Sequence, residues 1–171
     1  MESLNVLRSE HSSVLGQLYE LDQQLGRLES SGPHLARKIL FQLLARGEKL
    51  ASDLAFHFQR EEKSLYAALE DRMGEKSGPV ATMKREHTSL EISINRFTSE
   101  VGRMLNDHDA VKTWELTSCL QDLRSGLSDH VSREEKVLFW LAELHLSRTD
   151  RNRISAELAQ VRGEKSYNDS S

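Results

Sequence analysis

The chain carries a single cysteine, Cys119, in 171 residues. One thiol excludes an internal disulfide framework and fits a reducing cytosol. Proline occurs twice and glycine nine times, a scarcity typical of helical proteins. No stretch approaches the ~18 consecutive apolar residues of a membrane span. The opening residues, MESLNVLRSEH, lack the basic and apolar regions of a secretory signal. A basic excess is missing too: the net charge is −4 and the isoelectric point about 6.0, so nothing favours nucleic acid or an anionic membrane surface. What is left is a soluble, cytoplasmic protein of one domain, long enough to bury a core without cross-links.

The punctuation predicts an all-α chain of four long helices and a short fifth. From Ser3 to about Ser30, Leu4, Leu7, Val14, Leu15, Leu18, Leu21, Leu25 and Leu28 keep helical spacing. Gly32-Pro33 ends that segment, and proline suits the first turn of the next. The second helix is expected from about Leu35 to Met73; at ~1.5 Å per residue it would approach ~57 Å, which suggests a break near Gly47. After the loop GEKSGP a third helix covers Val80 to Leu105, and after NDHD a fourth covers Val111 to Leu146. Asp150 is placed to cap a last helix from Arg151 to Arg162, ahead of a polar tail. The expected organisation is an antiparallel up-down-up-down four-helix bundle over 1–148, a C-terminal helix over 149–163 and a disordered tail over 164–171.

The sequence also runs twice. HFQREEKSLY, from His57, returns 73 residues later as HVSREEKVLF, from His130; Glu10-His11-Ser12-Ser13 returns after 76 as Glu86-His87-Thr88-Ser89. Each half reads as one helical hairpin with Glu-His on its first helix and His-x-x-x-Glu on its second. His11, His57, His87 and His130 thus fall one per helix. Glu61, Glu91 and Glu134 follow three of them at i+4, on the same face one turn along. Imidazole and carboxylate without thiolate suit iron, manganese or zinc rather than copper(I) or an iron–sulfur cluster. Two ions fit the set: each takes the two histidines of its own half while Glu61 and Glu134 bridge. Six protein ligands leave positions for an oxo or hydroxo bridge and for a small ligand.

A lone helical histidine is usually a packed or solvated residue, and a lone His-x-x-x-Glu arises by chance. The duplication of both elements, at one histidine per helix, sets this set apart. His34, His108 and His145 stand outside it. Glu62 and Glu135 lie about 140° from their histidines and are expected to be outer-shell or surface groups. Tyr66 and Phe139, nine residues after His57 and His130, are expected to pack in the core, as are Tyr19 and Trp140. The Glu-x-x-His pattern of ferritin-type bundles is missing, since Arg8, Leu54, Lys84 and Leu127 precede the four histidines by three.

These residues resemble the hemerythrin-like family, the HHE cation-binding domain, over about Leu4 to Leu146. The resemblance rests on His11, His57 in HFQREEKSLY, His87 in REHTSL and His130 in HVSREEKVLF. It implies a bundle around a non-haem di-iron centre, with His11, His57, His87 and His130 as terminal ligands and Glu61 and Glu134 as bridges. Oxygen-carrying members have a second histidine on the third helix where this chain has Glu91. An anionic oxygen there favours the ferric state and works against reversible O2 carriage; Glu91 is a ligand, a proton donor or a solvated neighbour. The arrangement looks closer to bacterial proteins that repair iron centres and to hemerythrin-like stress proteins. Repair proteins of this kind usually carry an N-terminal segment with cysteines, whereas here the bundle begins at once, which speaks against a complete repair protein. The resemblance therefore implies a di-iron protein that binds or reacts with O2, peroxide or nitric oxide, in redox or oxygen sensing, stress protection or iron handling. The alternative is a non-catalytic metal-binding or signalling module that acts through a protein partner; a metal-free structural bundle is the third reading. No catalytic residue is assigned.

Overall fold

Along the first rod the residues that lose contact with water are Leu4, Leu7, His11, Val14, Leu18, Leu21, Leu25 and Leu28, alternating steps of three and four. That spacing keeps one seam facing the partner helices. The computed structural model describes residues 2–74, 78–106 and 113–168, with side chains for 3–32, 34–74, 78–106 and 113–159. These form five helical rods, with no strand among the described residues. Helix α1 is Glu2–Glu29. Helix α2 runs as Pro33–Glu61, a π turn Glu62–Tyr66, and Ala67–Met73. Helix α3 is Gly78–Asn106. Helix α4 runs as Thr113–Arg133, a π turn Glu134–Leu138, and Phe139–His145. Helix α5 is Arg148–Asn168. No helix among the described residues is long and apolar enough to cross a membrane.

The packing order follows the chain: α1 on α2, α2 on α3, α3 on α4, and α4 back on α1. This is the antiparallel up-down-up-down bundle. Its internal repeat reaches the core. The buried seam of α3, Val80, Met83, His87, Leu90, Ile94, Phe97, Val101 and Met104, copies that of α1 position by position.

Gly47 does not break α2, which is continuous from Pro33 to Glu61. A Cβ on Gly47 would come within 2.9 Å of Thr98 Cγ2 and 3.4 Å of the Phe97 ring. The glycine lets α2 and α3 approach closely, and the length of the helix needs no interruption. The irregularities lie instead at the two π turns, each of which inserts about one extra residue into the winding. Gly74, at φ 93°, ends α2 in a conformation that other residues avoid. Tyr19 and Trp140 are exposed, contrary to expectation: each sits one residue, about 100°, beyond a core position (Leu18 and Phe139).

Two apolar clusters fill the interior. One takes Val14 to Leu28 of α1 together with Phe58, Leu90 and Leu127. The other takes Leu4, Leu7, Leu65, Tyr66, Met83 and Leu138, closed by Ile154 and Leu158 of α5. On every long helix the repeated histidines and glutamates fall between the two, so the fold places one polar layer between two dry ones.

The last helix starts earlier than its sequence suggested. Ser147 is its N-cap and Asp150 the third residue in: the Asp150 amide donates to Ser147 Oγ at 3.2 Å, and the Ser147 amide donates to Asp150 Oδ2 at 2.9 Å. This reciprocal pair is a capping box. Arg72 of α2 donates to the same carboxylate at 2.7 and 3.0 Å, tying α5 to the bundle. His108 in the α3–α4 connection, residues 75–77, and the chain after 168 lie outside the described residues.

The Ser147 hydroxyl and amide, and then Arg72, hold the Asp150 pKa down at about 2, against an ordinary 3.8. A carboxyl whose folded value is depressed adds stability above its unfolded pKa and loses it as pH falls through the folded one. Asp150→Asn should therefore melt below the wild type at pH 6, and the gap should close between about pH 4 and pH 2. A gap that stays constant on acidification, followed by circular dichroism, would mean that the ionised carboxylate is not what anchors α5.

Candidate metal centre

Position 11 of the α1 seam is where an apolar residue would otherwise stand, and the same is true of position 87 in α3 and of positions 57, 61, 130 and 134 in α2 and α4. All six side chains are buried. Their inward atoms converge. His57 Nε2 lies 2.8 Å from Glu61 Oε1, His11 Nε2 3.3 Å from the same oxygen, and His87 Nε2 3.2 Å from Glu61 Oε2. His11 Nε2 is 2.9 Å from Glu134 Oε2. Two sets of ligating atoms result: His11, His57, Glu61 and Glu134 in one, and Glu61, His87 and His130 in the other. The imidazoles sort by halves, and Glu61 is common to both sets.

The outward nitrogens are held by a second ring of carboxylates. Nδ1 of His57 meets Glu10 at 3.0 Å, Nδ1 of His87 meets Glu62 at 2.7 Å, Nδ1 of His130 meets Glu86 at 3.1 Å, and Nδ1 of His11 meets Glu135 at 2.9 Å. Each helix thus steadies the histidine of the next: α1 serves α2, α2 serves α3, α3 serves α4, and α4 serves α1. An ionised carboxylate only accepts, so each Nδ1 is the donor. That fixes the tautomer of each neutral ring and turns Nε2 inward, where it offers its lone pair once any second proton is lost, the state a metal-binding imidazole needs.

A third ring is built from the repeated arginines, and here the halves differ. Arg60 pairs with Glu10, and its other nitrogen donates to the Leu158 carbonyl of α5 at 2.8 Å; its side chain is 1% exposed. Arg133 pairs with Glu86 at 2.9 Å with its side chain 49% exposed. Every charged member of Arg-Glu-Glu is thereby placed: arginine on the glutamate behind a histidine, the first glutamate inward, the second on the neighbouring helix's histidine.

The aromatic lining differs in the same way. Phe139 stacks on His11 with centroids 6.0 Å apart. Tyr66, its counterpart, stacks on His87 at 5.4 Å and directs its hydroxyl to His87 Nε2 at 3.3 Å. Phe58 lies over His87 at 3.9 Å. Nine residues on a regular α-helix would turn Tyr66 to the far side from His57. The π turn absorbs about one residue of that rotation, so Tyr66 behaves as though it were eight residues on, about 80° from His57 and no longer on the opposite side. Core packing was only half of its role.

Buried this deeply, the six groups cannot all adopt their usual charge states. Burial lowers the His130 imidazolium to about 3, the neighbouring imidazoles adding to the effect and Glu61 opposing it. Burial also works against the His11 imidazolium, yet Glu134 and Glu61 reverse this and raise it to about 10. Glu61 is held well below its usual value, burial being outweighed by His57, His11 and His87. Glu134, desolvated and facing the Glu61 charge, rises to about 7. The consistent state is an ionised Glu61 with a protonated His11 as its counter-ion. Even so, His57 Nε2, His130 Nε2 and Glu61 Oε2 have no hydrogen-bond partner. Buried lone pairs without donors are costly, and a multivalent cation satisfies them together. The donor set fits such an ion.

Of the remaining candidates, Glu91 is exposed and stands outside both sets, and His34 and His145 are exposed as well. Glu62 and Glu135 are the outer carboxylates of His87 and His11. The sequence reading missed Glu10, Glu86, Arg60 and Arg133. The signal was present in the two Glu-His pairs: adjacent residues on a helix point about 100° apart, so a glutamate beside an inward histidine faces the next helix.

Two outcomes follow from this geometry. Arg60→Ala removes a buried guanidinium that ties Glu10 to the Leu158 carbonyl, leaving Glu10 only its His57 contact, and should cost clearly more than Arg133→Ala at the wet surface, which should cost about 0–1 kcal/mol; urea unfolding measures both, and equal losses would show that burial does not separate the two arginines. Cation uptake must also displace the protons that His11 and Glu134 hold at neutral pH. Calorimetry at pH 7 in buffers of different ionisation enthalpy should register release of about one proton or more per chain, with loading weaker at lower pH. Loading without proton release would contradict the charge state described here.

Comparison with known proteins gives the layer a context. Residues 2–142 match the family model described as the hemerythrin HHE cation binding domain. The chain is also similar to proteins named iron-sulfur cluster repair protein YtfE from Salmonella paratyphi B, Salmonella newport and Salmonella heidelberg, each 24% identical over 131 residues, covering 75% of this chain and 58% of the relative. It therefore spans a little over half the length of these relatives. With the matched region containing all four buried histidines and both inward glutamates, the chain belongs to the hemerythrin HHE cation-binding domain family.

Proposed function

We propose that the buried layer holds two non-haem iron ions and that the protein uses them to bind or react with a small ligand: O2, peroxide or nitric oxide. The observation that carries this reading is the pair of ligand sets sharing Glu61. One bridging carboxylate, with two imidazoles of one half on either side, suits two adjacent cations. Glu134 joins the His11 and His57 set and would give that side a second carboxylate. The His87 and His130 set offers two imidazoles and one carboxylate, the donor combination that leaves positions open on a non-haem iron. Mixed nitrogen and oxygen donors also accept manganese or zinc, and iron is favoured here by the family and by the YtfE relatives. When bound, an iron pair supplies electron transfer to or from a small ligand.

The chain's own residues set the conditions for that chemistry. The four outer glutamates keep each imidazole aimed inward. The apolar clusters on both sides exclude bulk water, which strengthens every charge interaction within the layer. Access is suited to small molecules, because leucine and aromatic side chains close the layer above and below. The repair activity named for the longer relatives is one candidate role; sensing and protection against oxidants are others that the same site serves.

Anaerobic loading with ferrous iron tests the reading. Two irons per chain are expected, falling to one or none in His57→Ala and His130→Ala, with an oxo-bridged ferric absorption after exposure to air. One iron in the wild type, or zinc retained in its place, would overturn it. Oxygen evolution from hydrogen peroxide then distinguishes turnover from a binding module without catalysis.

A further inference from the structure

The Tyr66 hydroxyl is fully buried, 3.3 Å from His87 Nε2 and within hydrogen-bonding reach of Glu134. His87 Nδ1 is already the donor to Glu62, so Nε2 carries the lone pair and the phenol donates to it. That same lone pair is the one His87 would offer to a cation. Once it is taken, the phenol is left with Glu134 alone, whose oxygens a cation would also claim, in a layer closed to water where an unpaired hydroxyl is costly. The hydroxyl therefore needs a new acceptor on the His87 side of the centre.

That side is also the poorer in protein donors. It has Glu61, His87 and His130, while the other has His11, His57, Glu61 and Glu134. A small ligand would enter where coordination is incomplete, next to the phenol. The counterpart of Tyr66 in the repeat is Phe139, against His11, which has no hydroxyl to give. The asymmetry in donors and the asymmetry in hydrogen bonding coincide.

We infer that Tyr66 is the ligand-contacting residue of the centre, its hydroxyl donating a hydrogen bond to a small anionic or dioxygen-type ligand bound on the His87 and His130 side. This rests on the di-iron reading. The phenol acts as a neutral donor and makes one half of a nearly two-fold site the ligand half. The contact selects ligands with a terminal acceptor atom, such as azide, peroxide or nitric oxide, over those without one.

The test compares wild type with Tyr66→Phe, both loaded with ferrous iron, oxidised, and titrated with azide while the azide-to-iron absorption and the iron content are measured. The expected result is two irons per chain in both proteins and azide binding weakened by about tenfold in the variant, the factor an ordinary hydrogen bond to a charged acceptor supplies. Equal azide affinity at full iron content would overturn the inference and leave the di-iron centre standing, since the phenol would then donate to Glu134 or another protein acceptor. A phenolate-to-iron absorption in the wild type that disappears in the variant would also overturn it, because the oxygen would be a ligand and not a donor. Failure of both proteins to take up iron would sink the di-iron reading and this inference with it.

Discussion

Glu61 is a carboxylate with no exposure to water, and three imidazole nitrogens lie within 3.3 Å of its oxygens. A charge in that position is tolerated only if opposite charge and hydrogen bonds surround it on all sides. The surrounding structure meets the requirement in alternating shells: inward carboxylates, imidazoles, outer glutamates, and arginines behind two of those glutamates. Each shell has the opposite polarity to the one inside it, and each is drawn from all of the helices it needs. Remove any one shell and the next is left as an uncompensated polar layer between two apolar clusters. The bundle can hold such a layer because the seams on either side are uninterrupted apolar side chains, which carry the packing.

The two halves of the chain supply these shells in duplicate, and the duplication is broken in few places. Three of these departures lie around the polar layer. Helix α5 covers the α1 and α2 side, burying Arg60 while leaving Arg133 in water. Tyr66 stands where its counterpart is Phe139. Glu134 approaches His11, while no carboxylate beyond Glu61 joins the His87 and His130 set among the described residues. A symmetric hairpin pair would present two equivalent cation positions; these departures make them chemically different.

Much of this was legible in the sequence. The seam of α1 follows the leucine spacing, and the four histidines are visible because the repeat sets them one per helix. The conformation of Gly47 was not legible, because a glycine that permits close approach and a glycine that interrupts a helix look the same until the neighbouring Thr98 is known. The role of Tyr66 was hidden for a related reason: its angle was reckoned on uniform winding, and a π turn leaves no simple mark in composition. Glu10 and Glu86 escaped because periodicity sorts residues by the face of their own helix, whereas these two act on the helix alongside.

The π turns also explain why the polar layer can lie so near one end of the bundle. Histidine 11 is the third seam position of α1, with only Leu4 and Leu7 beyond it, too little to exclude water if α2 and α4 contributed one residue per turn. The inserted residue brings neighbours in pairs to the interior, Leu65 with Tyr66 and Leu138 with Phe139, so each of these helices delivers two large side chains directly above the layer. Ile154 and Leu158 of α5 complete that cover. The extra residue in each winding thus closes the site and, in one half, arms it with a hydroxyl.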